Sequence, residues 1–332
     1  MFWDIFYSLL MLLAGLGAFL YGLHVFSGFF KRNNHKVKNA FAKIGENRFF
    51  NAGIGAGTTV AVQSSTATTV TIVGLISAGV MTLPQATAAI IGANVGSALS
   101  DMLLSLSAFR IRYIFMAFTF VGVLGKAFTK RNNWFCKASD LFISFGLIFI
   151  GLNLMRSAFS DNIHLTEFFT NMFEVVRFPL LLVLLGFLLT AIIQSSSASV
   201  GLYIAMAANG VFGIETVLYL VIGSSLGTTL TMMLAAIPAN RDAKRAALIH
   251  LFYNLFGTIL FVTLIWSAGH ILIPPFTRLI PSLIWQISVF SVILNLTTAL
   301  ILIWLVKPLT ALVRKIIPDK PDKVIDMEEI LV

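Results

Sequence analysis

Long apolar runs alternate with short polar breaks along the chain. Most runs reach the roughly 20 residues that a helix needs to cross a bilayer. Seven stretches read as spanning helices: 5–30, 84–107, 111–128, 139–159, 215–237, 246–272 and 284–306. Two others, 50–80 and 179–210, are apolar at both ends and polar in the middle. Prolines fall near segment ends, as at Pro84, Pro179, Pro238 and Pro308, where helices commonly stop or start. The run 5–30 is too long for a signal peptide and follows Asp4 rather than basic residues, so it reads as a retained transmembrane helix.

Composition agrees with this pattern. Hydrophobic residues make up 58% of the chain, charged residues 11%, and the mean hydropathy is +0.92. A soluble domain carries about 25% charge, so lipid is the expected solvent. The net charge of +9 would suggest nucleic acid in a soluble protein. Here the basic residues sit in short loops, without the aromatic interleaving of single-strand binders. The single cysteine, Cys136, excludes an internal disulfide and a multi-thiolate metal site.

Lys and Arg cluster in 31–48, 126–137, 241–245 and the tail from Lys307, which together hold 18 of the 23. If 50–80 and 179–210 dip into the membrane and return, all 18 face the cytoplasm. The N-terminus is then outside and the C-terminus inside. Full crossing by both stretches would also place 18 basic residues inside, so charge fixes the ends and leaves the middle open.

The chain repeats itself. Gly17–Leu23 resembles Gly146–Leu152 at an offset of 129. Gln63-Ser64-Ser65-Thr66-Ala67 matches Gln194-Ser195-Ser196-Ser197-Ala198, and Gly92-Ala-Asn94-Val-Gly96-Ser97 matches Gly223-Ser-Ser225-Leu-Gly227-Thr228, both at 131. The expected fold is an all-α polytopic membrane protein of two inverted repeats, each with a re-entrant helical hairpin and a broken transmembrane helix. Repeat 1 spans 1–130 with its hairpin at 50–80. Repeat 2 spans 131–272 with its hairpin at 179–210. An additional helix, 273–306, and a cytoplasmic tail, 307–332, follow.

The polar centres carry the chemistry. Thr58–Thr71 holds eight hydroxyl residues plus Gln63, and Thr190–Ser199 holds five plus Gln194. The flanking arms of about 11 to 15 residues reach roughly 16 to 23 Å, short of the ~30 Å hydrocarbon core. Two arms meeting at a polar tip make a hairpin that ends in mid-membrane. The alternative is a complete helix whose hydroxyls bond back to its own carbonyls. The Gly pairs likewise mark either a helix break with polar lining or a G-x-x-x-G close contact.

Among ionisable residues, His24, Asp101 and His250 fall inside spans, and no Lys or Arg is central to one. Asp101 reads as a cation ligand or proton carrier, or as a helix-end carboxylate, solvated or paired with Arg110 or Arg112. The histidines read as packing residues, with proton coupling as the other option. An anion at the midplane would therefore depend on hydroxyls, helix N-termini and co-bound cations.

The doubled QSS motif, followed in each half by G-[AS]-[NS]-x-G-[ST], resembles the type II sodium-dependent phosphate cotransporters and their bacterial relatives. His250-Leu-Phe-Tyr-Asn254-Leu-Phe-Gly257 is similar to the family as well. The resemblance implies a secondary active transporter of inorganic phosphate coupled to sodium by alternating access, in the plasma membrane. It places phosphate on Ser64, Ser65, Thr66, Ser195, Ser196, Ser197, Asn94, Ser225 and Thr228. Sodium is expected at Gln63, Gln194, Thr68, Ser199, Asn94 and Asp101. The chain departs from the family at Asp101, where asparagine is expected. Alternatives are a carrier of another small oxyanion or organic anion, a phosphate exporter, and, from a different class, an anion channel or phosphate sensor. No nucleophile–base pair points to an enzyme. The expected partners are phosphate, sodium and the lipid bilayer, without nucleic acid; a homodimer is an open option.

Overall fold

The computed structural model describes residues 2–32, 43–109, 112–128 and 134–319. Among them every regular element is helical, in the order α1 (Phe2–Arg32), α2 (Arg48–Val62), α3 (Ser65–Ser77), α4 (Leu83–Leu104), α5 (Arg112–Phe128), α6 (Trp134–Ser160), α7 (Ile163–Val175), α8 (Pro179–Ile193), α9 (Ser196–Ala207), α10 (Ile214–Ala236), α11 (Arg241–Leu279), α12 (Leu283–Leu302) and α13 (Val306–Ile316). Short 3₁₀ turns follow α4 and α12.

Six helical segments are long and apolar enough to cross a membrane: those of α1, α4, α6, α10 and α11, and the run that begins with α12. Of the seven predicted spans, only 111–128 falls short, since α5 has 17 residues. Much of the outer surface is apolar. On α8, Leu181, Leu184, Leu188 and Ile192 share one face at helical spacing, and all are exposed. A stripe like this is costly in water and favourable against lipid tails. The basic loops at 33–42 and 129–133, and the tail beyond 319, lie outside the described residues.

α4 and α10 form the buried centre, and glycine decides how they are covered. A Cβ at Gly55, Gly92 or Gly96 would collide with the carbonyl of Ala89, Ala52 or Ala56. These contacts join α2 to α4 backbone to backbone. The same three collisions recur 131 residues later, where Gly186, Gly223 and Gly227 meet Leu220, Val183 and Phe187 and join α8 to α10. The repeat seen in the sequence is thus a repeat of contacts.

The Gly pairs do not break their helices. α4 and α10 run unbroken through Gly92–Gly96 and Gly223–Gly227, which corrects the expected broken transmembrane helices. The physical reason is close approach: each glycine removes a side chain so that a neighbouring backbone can seat there. A helix that keeps its hydrogen bonds gains this contact without opening.

α1 and α6 cross in the same manner. Gly15 lies against Gly151, and Gly22 against Ser144. The numbers rise on one helix as they fall on the other, so the helices are antiparallel. A shift of 129 residues exchanges the two contacts, because it carries Gly15 to Ser144 and Gly22 to Gly151. Past the predicted end at 272, α11 continues through Pro274 and Pro275 to Leu279.

Candidate functional site

Each QSS motif stops one helix and starts the next. α2 ends at Gln63 with φ 52° and α8 ends at Gln194 with φ 58°, the two non-glycine residues in the left-handed region among those described. That conformation turns the chain away from the helix axis and costs a side-chain-bearing residue about 1–2 kcal/mol. Gln63 offsets part of the cost, since its Nε2 donates to the Val60 carbonyl at 2.8 Å. The first serine then caps the following helix. Ser64 Oγ accepts from the Ala67 amide at 3.1 Å, and Ser195 Oγ accepts from the Ala198 amide at 3.3 Å. Ser65 and Ser196 open α3 and α9, whose first amides have no partner within the helix.

The two tips meet. Gln63, Ser64, Ser65 and Thr66 line the same cavity as Gln194, Ser195, Ser196 and Ser197, and its volume is about 220 Å³. α1 contributes His24 and Ser27, α2 contributes Thr59, and α4 contributes Ser97 and Ser100. Ser97 Oγ and Ser196 Oγ are 3.2 Å apart and join α4 to the second tip. Ser27 Oγ and Thr59 Oγ1 are buried without a hydrogen-bond partner. A buried hydroxyl left open costs about 1–3 kcal/mol, so two of them in one wall favour a polar occupant. No Lys or Arg is among the described residues of this wall. Positive potential comes from the N-termini of α3 and α9, each equivalent to about half a unit charge.

Not every expected site residue reaches this cavity. Asn94, Ser225 and Thr228 line a smaller void of about 10 Å³ behind the second tip, with Ser97 and Ser196 between the two spaces. Asn94 Oδ1 accepts from His250 Nε2 at 3.2 Å and Asn254 Nδ2 at 3.4 Å, which ties α4 to α11. Thr68 and Ser199 lie one turn into α3 and α9 and donate back to the Ser64 and Ser195 carbonyls at 3.1 and 3.3 Å. A chain of hydroxyls from Ser224 through Thr190 to Ser199 fixes the second hairpin from behind.

Asp101 is neither solvated nor at a helix end in water; it is 2% exposed. Its Oδ1 accepts from Ser197 Oγ at 2.8 Å and its Oδ2 from Ser291 Oγ at 2.9 Å. The Arg110 and Arg112 side chains lie outside the described residues. The α12 wall is absent from the sequence expectations. Ser288, Ser291, Asn295 and Thr298 are buried at spacings of three, four and three, which puts them on one helical face. Ser288 also donates to the Asp101 carbonyl, at 3.0 Å. That polar stripe in an apolar helix was the available signal. His24, expected to be a packing residue, stacks on Tyr21 and reaches the cavity wall.

A profile of the Na+/Pi-cotransporter family matches residues 18–157 and 164–273, which include both tips and the whole cavity wall. The chain belongs to the Na+/Pi-cotransporter family. Among its relatives, YqeW of Bacillus subtilis, an uncharacterized protein, is 27% identical over 78% of this chain and 81% of its own length. YjbB of Escherichia coli, named as a candidate inorganic phosphate exporter, is 27% identical over 95% of this chain. The match covers 57% of YjbB, so the chain spans little more than half of that relative. Human sodium-dependent phosphate transport protein 2C is 42% identical over a segment covering 24% of this chain and 14% of its own. No solved structure matches the chain.

Proposed function

We propose that the protein is a secondary active carrier of inorganic phosphate, coupled to sodium by alternating access. The observation that carries this reading is the shared cavity. Two capped helix N-termini from separate halves of the chain converge on one polar space without a Lys or Arg in its described wall. A tetrahedral oxyanion suits such a site. The amides and hydroxyls of Ser65, Thr66, Ser196 and Ser197 supply donors, with Ser64 and Ser195 as caps and Asn94, Ser225 and Thr228 behind. Gln63, Gln194 and Asp101 supply hard oxygen ligands for sodium. Opposite charges about 4 Å apart attract by roughly 4 kcal/mol at an effective dielectric of 20, so each ion strengthens binding of the other. The names of the relatives agree with phosphate as cargo.

Alternating access follows from inverted halves. The reading takes 1–130 and 131–272 as inverted repeats, with α2–α3 and α8–α9 as re-entrant hairpins and both tips near the bilayer midplane. Its support is the exchange of contacts between antiparallel α1 and α6 and the three glycine contacts duplicated at 131 residues. The arms of 12 to 15 residues are too short to span. In a plasma membrane the N-terminus would be outside and the C-terminus cytoplasmic.

Reconstituted liposomes test the proposal. Labelled phosphate should accumulate against its gradient when sodium is applied on one side, and sulfate should compete poorly. Downhill flux alone would make the protein a channel, and equal competition by sulfate would broaden the cargo. The likeness to YjbB favours export as the direction; sodium applied to either face of oriented vesicles decides it.

A further inference from the structure

Behind the phosphate cavity, the structure assigns a separate binding site for one monovalent cation to the small void between α4, α9 and α12, with the Asp101 carboxylate and the Ser291 hydroxyl as its core. This inference rests on the carrier reading and narrows it, since it separates the cation from the tip glutamines and adds α12 to the site.

The argument starts from the cost of Asp101. Its side chain is buried, and a carboxylate in such a place is retained only with a countercharge or a proton. Both oxygens accept from serine hydroxyls, of Ser197 on one side and Ser291 on the other. The ionised form is therefore supplied with donors but not with positive charge. No basic side chain among the described residues pairs with it: the ion pairs join other residues.

Beside the carboxylate lies the void of about 10 Å³, room for about one water-sized particle. Asp101, Ser291, Asn295, Ser225 and Thr228 surround it, all bearing the hard oxygens that suit a sodium-like ion. It is too small for an oxyanion, which separates it from the larger cavity. Ser196 lines both spaces and Ser197 links Asp101 to the larger one, so a cation here lies directly behind the second tip. Loading it would fix the Ser196–Ser197 turn and offset the charge of an anion in front. Met232 occupies the equivalent of Asp101 in the second half, is buried, and belongs to an apolar cluster. One such site therefore exists per chain.

The test uses purified full-length protein, with radioactive sodium binding measured in the absence of phosphate, and liposome flux measured in parallel. Asp101→Asn should weaken sodium binding at least about tenfold, as loss of a buried charge partner does. Ser291→Ala should weaken it by about fivefold, the size of one hydrogen bond. Phosphate half-saturation at saturating sodium should stay near the wild-type value in Ser291→Ala. Unchanged sodium binding in both variants overturns the assignment, as does a Asp101→Asn effect on proton coupling alone. If Asp101→Asn does not fold, Ser291→Ala and the wild-type stoichiometry decide between these outcomes. The carrier reading fails separately: sodium binding lost in Asp101→Asn, in a protein that moves no phosphate, keeps the cation site and removes the cargo.

Discussion

The chain that leaves the first tip and the chain that leaves the second fold alike and then diverge at one buried position. Both tips use a left-handed glutamine, a capping serine and a helix start, and both are covered through the same three glycine contacts. One helix turn beyond, α4 carries Asp101 bound to serines of α9 and α12, while α10 carries Met232 in an apolar cluster. Duplicated backbone contacts build a cavity with matching walls. The unmatched residue then gives one half a charge that the other lacks. Symmetry here belongs to the scaffold, and selectivity for a cation belongs to the departure from it.

Breaking the shared scaffold should have the largest effect and should not depend on which half is struck. Gly92→Leu and Gly223→Leu each force a side chain into a neighbouring backbone and should cost about 3 kcal/mol or more. Both should lose monodisperse protein in gel filtration; survival of either variant would show that its contact is not tight. Erasing the difference between the halves comes next. Met232→Asp places a carboxylate in an apolar cluster and should destabilise by about 3 kcal/mol, measured as a lower midpoint of thermal unfolding in detergent. A neutral result would mean that the second half can also accommodate the charge.

The tips separate function from stability. Ser65→Ala and Ser196→Ala should each lower phosphate flux by about tenfold, as loss of a hydrogen bond to a charged ligand does. Ser196→Ala should be the more severe, because Ser196 also meets Ser97. Ser64→Ala and Ser195→Ala remove helix caps instead and should cost about 1 kcal/mol of stability. A flux defect confined to the cap variants would reverse this assignment.

The smallest effect lies far from both tips. Asp319, held by Arg245 at 2.7 Å, titrates below the ordinary carboxylate range because the guanidinium hydrogen-bonds its charged form. A depressed value means that the contact is complete above the unfolded-state pKa and is lost as the pH falls through the folded one. The end of the chain after α13 should then become more sensitive to proteolysis in acid, in a wild-type-specific manner that Asp319→Asn removes.

How much of this was readable in advance differs by residue. The tips were legible because a run such as Gln63–Thr66 has no reason to stand in the middle of a greasy segment, and arm lengths follow from 1.5 Å per residue. The Gly92 and Gly96 pair was not, since glycine serves both a broken helix and a close contact, and only the partner backbone at Ala52 and Ala56 decides. Asp101 was seen but its surroundings were not. Ser288 and Ser291 lie nearly two hundred positions away in sequence, and a few small hydroxyls barely change the hydropathy of α12. Their three-four-three spacing was visible, yet its partner helix was not.

The glycine notches also constrain where the molecule can bend. Where the Ala52 and Val183 carbonyls seat in the backbone of α4 and α10, there are no side chains to change rotamer, so those helix pairs cannot slip without lifting apart. They behave as welded units. The seam between units is lined with hydroxyls such as Ser97 and Ser196, which exchange a protein partner for water at little net cost. Relative displacement is cheapest along that wettable seam, and the seam runs through the binding cavity itself.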